Sequence, residues 1–367
     1  MQISEFELLL HEMIKHGASD LHLKTNSAPL FRINGKLFPV DYPKLTPQDT
    51  AQLANELCST PRLQKDKEEN GSADFAYMAP GLGRFRINVF RQRSSYDVAC
   101  RAIKLTIPTV QDLHLEEGVM NYLSTMERGL VLLTGTAGSG KSTTLAVLVN
   151  LINAHRFEHI LTIEDPIEYM HSNIKSVVSQ REVGTDCPSF QDALEHALRQ
   201  DPDVILVGEI RDEETMRVTM GIAETGHVVL STLHTYNCAQ AVDRVLDFYP
   251  PHLHLQVRKQ LSNTIQAVIC QRLVPRADGK GRVPAMEIMV ATAAVRKLIN
   301  EGKINELQQA IQNGEMGNQT FNQSLVKLYK DKLIDLETGL LYSDDPAGFR
   351  RNISGGYADS DRKGIVF

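Results

Sequence analysis

The chain has 367 residues, 42% apolar and 23% charged, with a formal net charge of −6 from 39 Lys and Arg against 45 Asp and Glu. That length exceeds one average domain and predicts two, while the composition excludes wholesale disorder and fibrous designs. The acidic balance offers no general attraction to phosphate backbones, so nucleic acid is a disfavoured partner.

No apolar run approaches the ~20 residues needed to cross a bilayer, and stretches such as Leu130 to Leu133 and Val204 to Val207 read as buried strands. The opening Met1-Gln2-Ile3-Ser4-Glu5 lacks a basic region followed by an apolar one, which predicts a cytoplasmic protein. Cys58, Cys100, Cys187, Cys238 and Cys270 stand far apart without a Cys-x-x-Cys pair, so buried reduced thiols are expected rather than a zinc or disulfide framework.

In chain order, Ile3, Phe6, Leu10, Met13 and Ile14, followed by Gly17, predict an amphipathic helix. Leu21 and Leu23 alternate, and Asn34-Gly35 between Leu30 to Ile33 and Lys36 to Phe38 predicts a hairpin. From Arg84 to Val89, apolar Phe85, Ile87 and Val89 alternate with Arg84, Arg86 and Asn88, and the return segment 97–103 carries Arg101. Ile107-Pro108 interrupts this pattern and marks a domain joint. Beyond it, the short apolar strands 130–134, 160–163, 204–207 and 228–233 alternate with helical stretches, an α/β pattern with a largely parallel sheet. After Pro284 the chain is expected to turn helical, near 293–300, 304–312 and 321–329, and from Arg351 to become a mobile tail.

Gly135-Thr136-Ala137-Gly138-Ser139-Gly140-Lys141-Ser142 fits G-x-x-x-x-G-K-S/T between a strand and the helical run that starts Thr143-Thr144. Such a loop wraps phosphates with backbone N–H groups, its lysine reaches the β and γ phosphates, and its serine ligates Mg²⁺, which predicts ATP and Mg²⁺ as cofactors. Glu209 ends an apolar strand where this fold needs an acidic group near the metal. Glu164, at another strand end before Asp165-Pro166-Ile167-Glu168, is the candidate base for the attacking water, with a solvated acidic turn as the alternative. His227 and His234 bracket the strand 228–233, and either sense the γ-phosphate or serve structure. Arg84, Arg86 and Arg101 either supply charge to a nucleotide on an adjacent subunit or form a solvated sheet face.

Taken together, 135–143, 162–168, 207–212 and 225–235 resemble the Walker A, Asp, Walker B and His boxes of the secretion ATPase superfamily. Gly17 to Leu23, Gly83 to Asn88, Gln271 to Pro275 and Gln319 to Leu325 make the chain most similar to its type IV pilus retraction ATPases, the PilT group of twitching motility proteins, from about Gly17 to Arg351. The resemblance implies a smaller α+β PAS-like N-terminal domain, a RecA-like P-loop ATPase domain with a helical C-terminal end, and a homohexamer with nucleotide between subunits. The corresponding boundaries are 1–107, a linker at 108–118, 119–350 and the tail 351–367.

The function implied is ATP hydrolysis driving pilus retraction. The protein would sit at the cytoplasmic face of the inner membrane, against a pilus platform protein and with a possible paralogous ATPase, peripheral rather than inserted. Assembly and type II secretion ATPases usually carry a four-cysteine zinc site and a longer N-terminal region, both missing here. The group's A-I-R-N-L-I-R-E motif appears as Ala294-Val295-Arg296-Lys297-Leu298-Ile299-Asn300-Glu301, which leaves an accessory, PilU-type motor as the alternative. A nucleic-acid translocase is the remaining rival, disfavoured by charge and by the lack of a basic, aromatic-interleaved stretch.

Overall fold

A computed structural model describes residues 1–33, 35–103 and 106–354. The chain divides into two compact units, Met1–Thr106 with Glu168–Met170, and Ile107–Ile167 with His171–Phe367.

In the first unit, the helix Ile3–Lys15 starts with a capping box between Gln2 and Glu5 and buries Phe6, Leu9, Leu10 and Met13. Six strands follow: β1 (Asp20–Leu23), β2 (Leu30–Ile33), β3 (Lys36–Pro39), β4 (Ser72–Ala79), β5 (Gly83–Gln92) and β6 (Ser95–Ala102). They form one antiparallel sheet in the order β3-β2-β1-β6-β5-β4. Ile33 pairs with Lys36, as a two-residue turn requires, although Asn34 of the expected Asn-Gly pair lies outside the described residues. The expected alternation in β5 holds. Phe85, Ile87 and Val89 are at most 1% exposed and pack with Leu21, Leu23, Phe6 and Leu53, each large apolar side chain contributing roughly 1.5–3 kcal/mol by leaving water.

The opposite face carries a charged row in register: Arg32 pairs with Asp20, Asp20 with Arg101, and Arg101 with Arg86. Arg101 Nε donates to Asp20 at 2.7 Å, Arg32 lies 3.7 Å away, and Arg86 is 3.8 Å from Asp74. Like charges directly opposite one another repel, and Asp20 between Arg32 and Arg101 offsets that repulsion. Burial works against the Asp20 charge, but the Ser19 hydroxyl and the Arg101 guanidinium outweigh it and hold the carboxyl below its ordinary pKa.

The second unit contains β7 (Gly129–Thr134), β8 (His159–Glu164), β9 (Val177–Glu182), β10 (Val204–Val207), β11 (Val228–Thr232), β12 (Ile265–Pro275) and β13 (Arg282–Val290). The order is β13-β12-β7-β11-β10-β8-β9. All pairs are parallel except β12 with β13. Strands read as unbroken apolar runs because both faces are covered: Leu130, Leu132, Ile205 and Val207 belong to one buried cluster, Val131, Leu133, Val204 and Leu206 to the other. The expected α/β class with a smaller α+β unit is what the chain builds.

Four strands escaped the sequence reading: β4, β9, β12 and β13. Pro284 does not begin the helical region; it sits inside β13, an edge strand, where a missing N–H is tolerated. Helices Ala293–Glu301, Leu307–Gln312, Phe321–Lys330, Leu336–Tyr342 and Pro346–Ile353 then follow. Residues 351–353 end the last of these, and the expected tail from 355 onward lies outside the described residues.

Because the native pKa of Asp20 is depressed, its contribution to stability is present above the unfolded value and is lost as pH falls through the native one. Urea unfolding followed below about pH 4 will show this loss, and Asp20→Asn will lower the neutral-pH midpoint while flattening the acid dependence.

Candidate functional site

Parallel strands covered on both faces deliver their carboxyl ends to one edge, where ligands of open α/β sheets bind. On this edge β7 runs into the loop 135–140, β11 into His234, and β10 into Glu209, while β8 ends at Glu164. Strands β7, β11, β10 and β8 are consecutive neighbours, so the sheet order places these groups side by side.

The loop's glycines have distinct reasons. Gly135 adopts φ +139°, and a Cβ there would come 2.4 Å from the Gln271 carbonyl; Gly140 adopts φ +90°, with Gln271 Nε2 2.7 Å from its would-be Cβ. Both positions combine a left-handed backbone with a close neighbour, so a side chain is excluded. Helix Lys141–His155 starts immediately after, pointing its N-terminal N–H groups and positive dipole end at the loop. Ser142 is exposed on its first turn.

Lys141 is only 9% exposed. Its Nζ donates to the carbonyls of Gly135 at 2.9 Å and Thr136 at 3.1 Å. Burial lowers its pKa, while the field of Cys270 and then of the Glu209 carboxylate acts in the opposite direction. Ser139 Oγ is buried in the same loop and has no hydrogen-bond partner among the described residues. A glycine-bounded cradle with an ammonium and an orphaned hydroxyl turned into it fits a phosphate chain.

Hydroxyls lock the neighbouring strand ends together. Thr162 Oγ1 donates to Glu164 Oε1 at 2.7 Å, and Gln180 Nε2 approaches the same oxygen at 3.3 Å. Gly208 N donates to the Ile163 carbonyl at 2.8 Å, Ser231 Oγ to Val207 O at 2.7 Å, and Thr232 Oγ1 to Gly208 O at 2.7 Å. Glu209 pairs with Arg211, and His234 Nε2 lies 3.5 Å from its other oxygen. Thr134 and Thr235 share a 2.7 Å hydroxyl contact that ties the start of the loop to the segment following His234.

His227 is placed elsewhere. It precedes β11 and stands at the opposite, amino-terminal edge of the sheet, where its carbonyl accepts from Gly129 N at 2.9 Å and its Nδ1 lies 3.3 Å from the Ile222 carbonyl. The two histidines thus sit at the two ends of the strand, as their spacing predicts, and one chain does not bring them together. Arg84, Arg86 and Arg101 belong to the first unit: Arg101 and Arg86 in the charged row, Arg84 on the same face of β5, with its Nε buried.

Several contributors were missed in the sequence. Thr162 was legible, since it stands two residues before Glu164 on the same face of β8. Arg211 and Thr235 lie beside Glu209 and His234 in the chain, whereas strand pairing alone brings Gln271 to the site. A cavity of about 270 Å³ opens beside the loop, lined by Gly135 to Ser139, Gln271, Arg272 and Tyr236. A larger one of about 630 Å³, among Phe321, Asp344 and Arg351, holds none of the predicted site residues.

The family model described as "Type II/IV secretion system protein" matches residues 3–334. The chain is similar to the type IV pilus ATPase PilU of Pseudomonas aeruginosa, 40% identical over 97% of this chain and 94% of that protein. It is also similar to the same organism's type IV pilus retraction ATPase PilT, 42% identical over 95% of this chain and the whole of the relative. Among solved structures, the pilus retraction motor PilT with bound ADP superposes with a TM-score of 0.87 at 44% identity, covering 94% of this chain and 98% of that one.

Gly135→Ala will weaken binding of a fluorescent ADP analogue by about tenfold or more, since strain of roughly 1–3 kcal/mol adds to the overlap with Gln271.

Proposed function

This chain belongs to the family of type II/IV secretion system proteins, and we propose that it is an ATP-hydrolysing motor of type IV pilus retraction. The observation that carries this reading is the alignment of Lys141, Glu209, Glu164 and His234 on the ends of four adjacent strands. Lys141 and the N–H groups of 136–143 hold the phosphates. Glu164, oriented by Thr162, positions water for attack on the γ-phosphorus and takes its proton. His234, against Glu209, answers to the γ-phosphate through the hydroxyl-linked ends of β10 and β11.

The oxygen-only donor set of the Ser142 hydroxyl and the Glu209 carboxylate suits Mg²⁺. When bound, the ion supplies positive charge that neutralises β and γ oxygens. Arg84, Arg86 and Arg101 act on a nucleotide held by the next subunit of a homohexamer, and His227, at the far end of β11, serves that subunit boundary. Rotation between units in such a ring drives pilin back into the membrane, with the ring held by a platform protein at the cytoplasmic face. Among the described residues no helix is long and apolar enough to cross a membrane.

An accessory motor of the PilU type is the second reading, favoured by comparable identity to PilU over a slightly longer stretch and by Asn300 in the C-terminal motif. Deletion of the gene separates the readings: surplus surface pili with no twitching identify the principal motor, and twitching retained but weakened identifies the accessory one. Absent pili would overturn both.

Glu164→Gln will retain ATP binding and lose about 10²–10⁴-fold in turnover, whereas Lys141→Ala will weaken binding and turnover together. Unchanged turnover of the Glu164 variant, measured by phosphate release, refutes its role. Native mass measurement with nucleotide will find six copies; a strict monomer at micromolar protein sinks the ring.

A further inference from the structure

Gln271 is 2% exposed on β12, between Cys270 and Arg272, and both ends of its amide are committed to the phosphate loop and the helix that follows it. Its Oε1 accepts from Thr144 Oγ1 at 2.8 Å, on the first turn of the following helix, and its Nε2 donates to the Ser139 carbonyl at 2.8 Å. A carbonyl can only accept, so the amide has one workable orientation. The same residue's backbone carbonyl forces glycine at 135 and its side-chain nitrogen forces glycine at 140. Gln271 therefore touches the beginning of the loop, its last turn and the helix that follows.

Continuity along the strand adds reach. Arg272, the next residue, donates to the Tyr236 carbonyl at 3.2 Å and to Asp344 Oδ1 at 2.7 Å, with its guanidinium 3.8 Å over the Phe321 ring. The loop is braced from β12, and β12 in turn is tied to the segment following His234 and to the C-terminal helices.

We propose that Gln271 is a positioning residue for nucleotide binding: its amide fixes the distance between the Ser139 carbonyl and the first turn of the helix, and so the curvature that aims the loop's N–H groups at phosphate. This rests on the nucleotide-binding reading of the loop. The phosphates are held in ground state and transition state alike, so the defect of a variant belongs in affinity rather than in turnover.

The test uses the full chain with Gln271→Met, which keeps length and burial but neither hydrogen bond, and with Thr144→Val and Thr144→Ser. Labelled ADP titration and steady-state ATP hydrolysis are measured alongside thermal unfolding. Gln271→Met and Thr144→Val will each weaken ADP binding and raise KM by about tenfold, with kcat within about threefold. The double variant will lose less than the product of the two, because they share one bond, and Thr144→Ser, which keeps the hydroxyl, will restore affinity. ADP affinity of Gln271→Met within twofold of the parent, or a fall in kcat at constant KM, overturns the proposal. If Gln271→Met does not fold, equal affinities of the Thr144 valine and serine variants overturn it. A parent chain that binds no ADP refutes the nucleotide reading itself, a different result from a parent and variant that bind equally.

Discussion

Lys141 is only 9% exposed, and an ammonium so placed is costly unless dipoles and opposite charge replace the water. Here the replacements are the carbonyls of Gly135 and Thr136, together with the field of the Glu209 carboxylate. Each depends on something further away. The two carbonyls point inward because Gly135 takes a backbone angle that a side chain would forbid, and it is held there against β12. Glu209 stands where it does because β10 ends two residues earlier, between β11 and β8.

The strand ends form a small lattice of hydroxyl contacts. Thr134, Ser231, Thr232 and Thr235 each donate to or share a hydrogen bond with a neighbouring strand end or its outgoing segment, and Thr162 donates to Glu164 at the end of its own strand. Short side chains with one or two rotatable bonds suit this task, since little rotamer freedom is lost in fixing them. Buried networks of this kind are rigid when fully paired, and Thr235, next to His234, is tied by its N–H and hydroxyl to Thr134 at the start of the phosphate loop.

The first unit solves a different problem. Its sheet buries one face against helices and leaves the other charged, with three arginines in register across neighbouring strands. Asp20 on β1 is the counter-charge between Arg32 on β2 and Arg101 on β6. Arg86, 3.8 Å from Asp74, is about half exposed to solvent.

The phosphate loop was legible residue by residue because its function is local: glycine torsions, a helix start and one lysine all lie within eight positions, and each leaves its mark on residue type. Glu209 and Glu164 were legible for a related reason, being carboxylates at the ends of apolar runs. The alternation in β5 was equally plain, since one buried face imposes period two. What no local pattern could carry was the neighbour relation of strands. Strands β4, β9, β12 and β13 went unread, Pro284 was mistaken for the end of the sheet, and Gln271, 131 positions after Gly140 in the chain, gave no sign that it braces the loop. Residue types determined which groups do the chemistry, because that depends on what a side chain is. The sheet order determined which groups meet, and placed His227 and His234 at opposite edges, because hydrogen-bonded pairing between distant segments belongs to the folded chain alone.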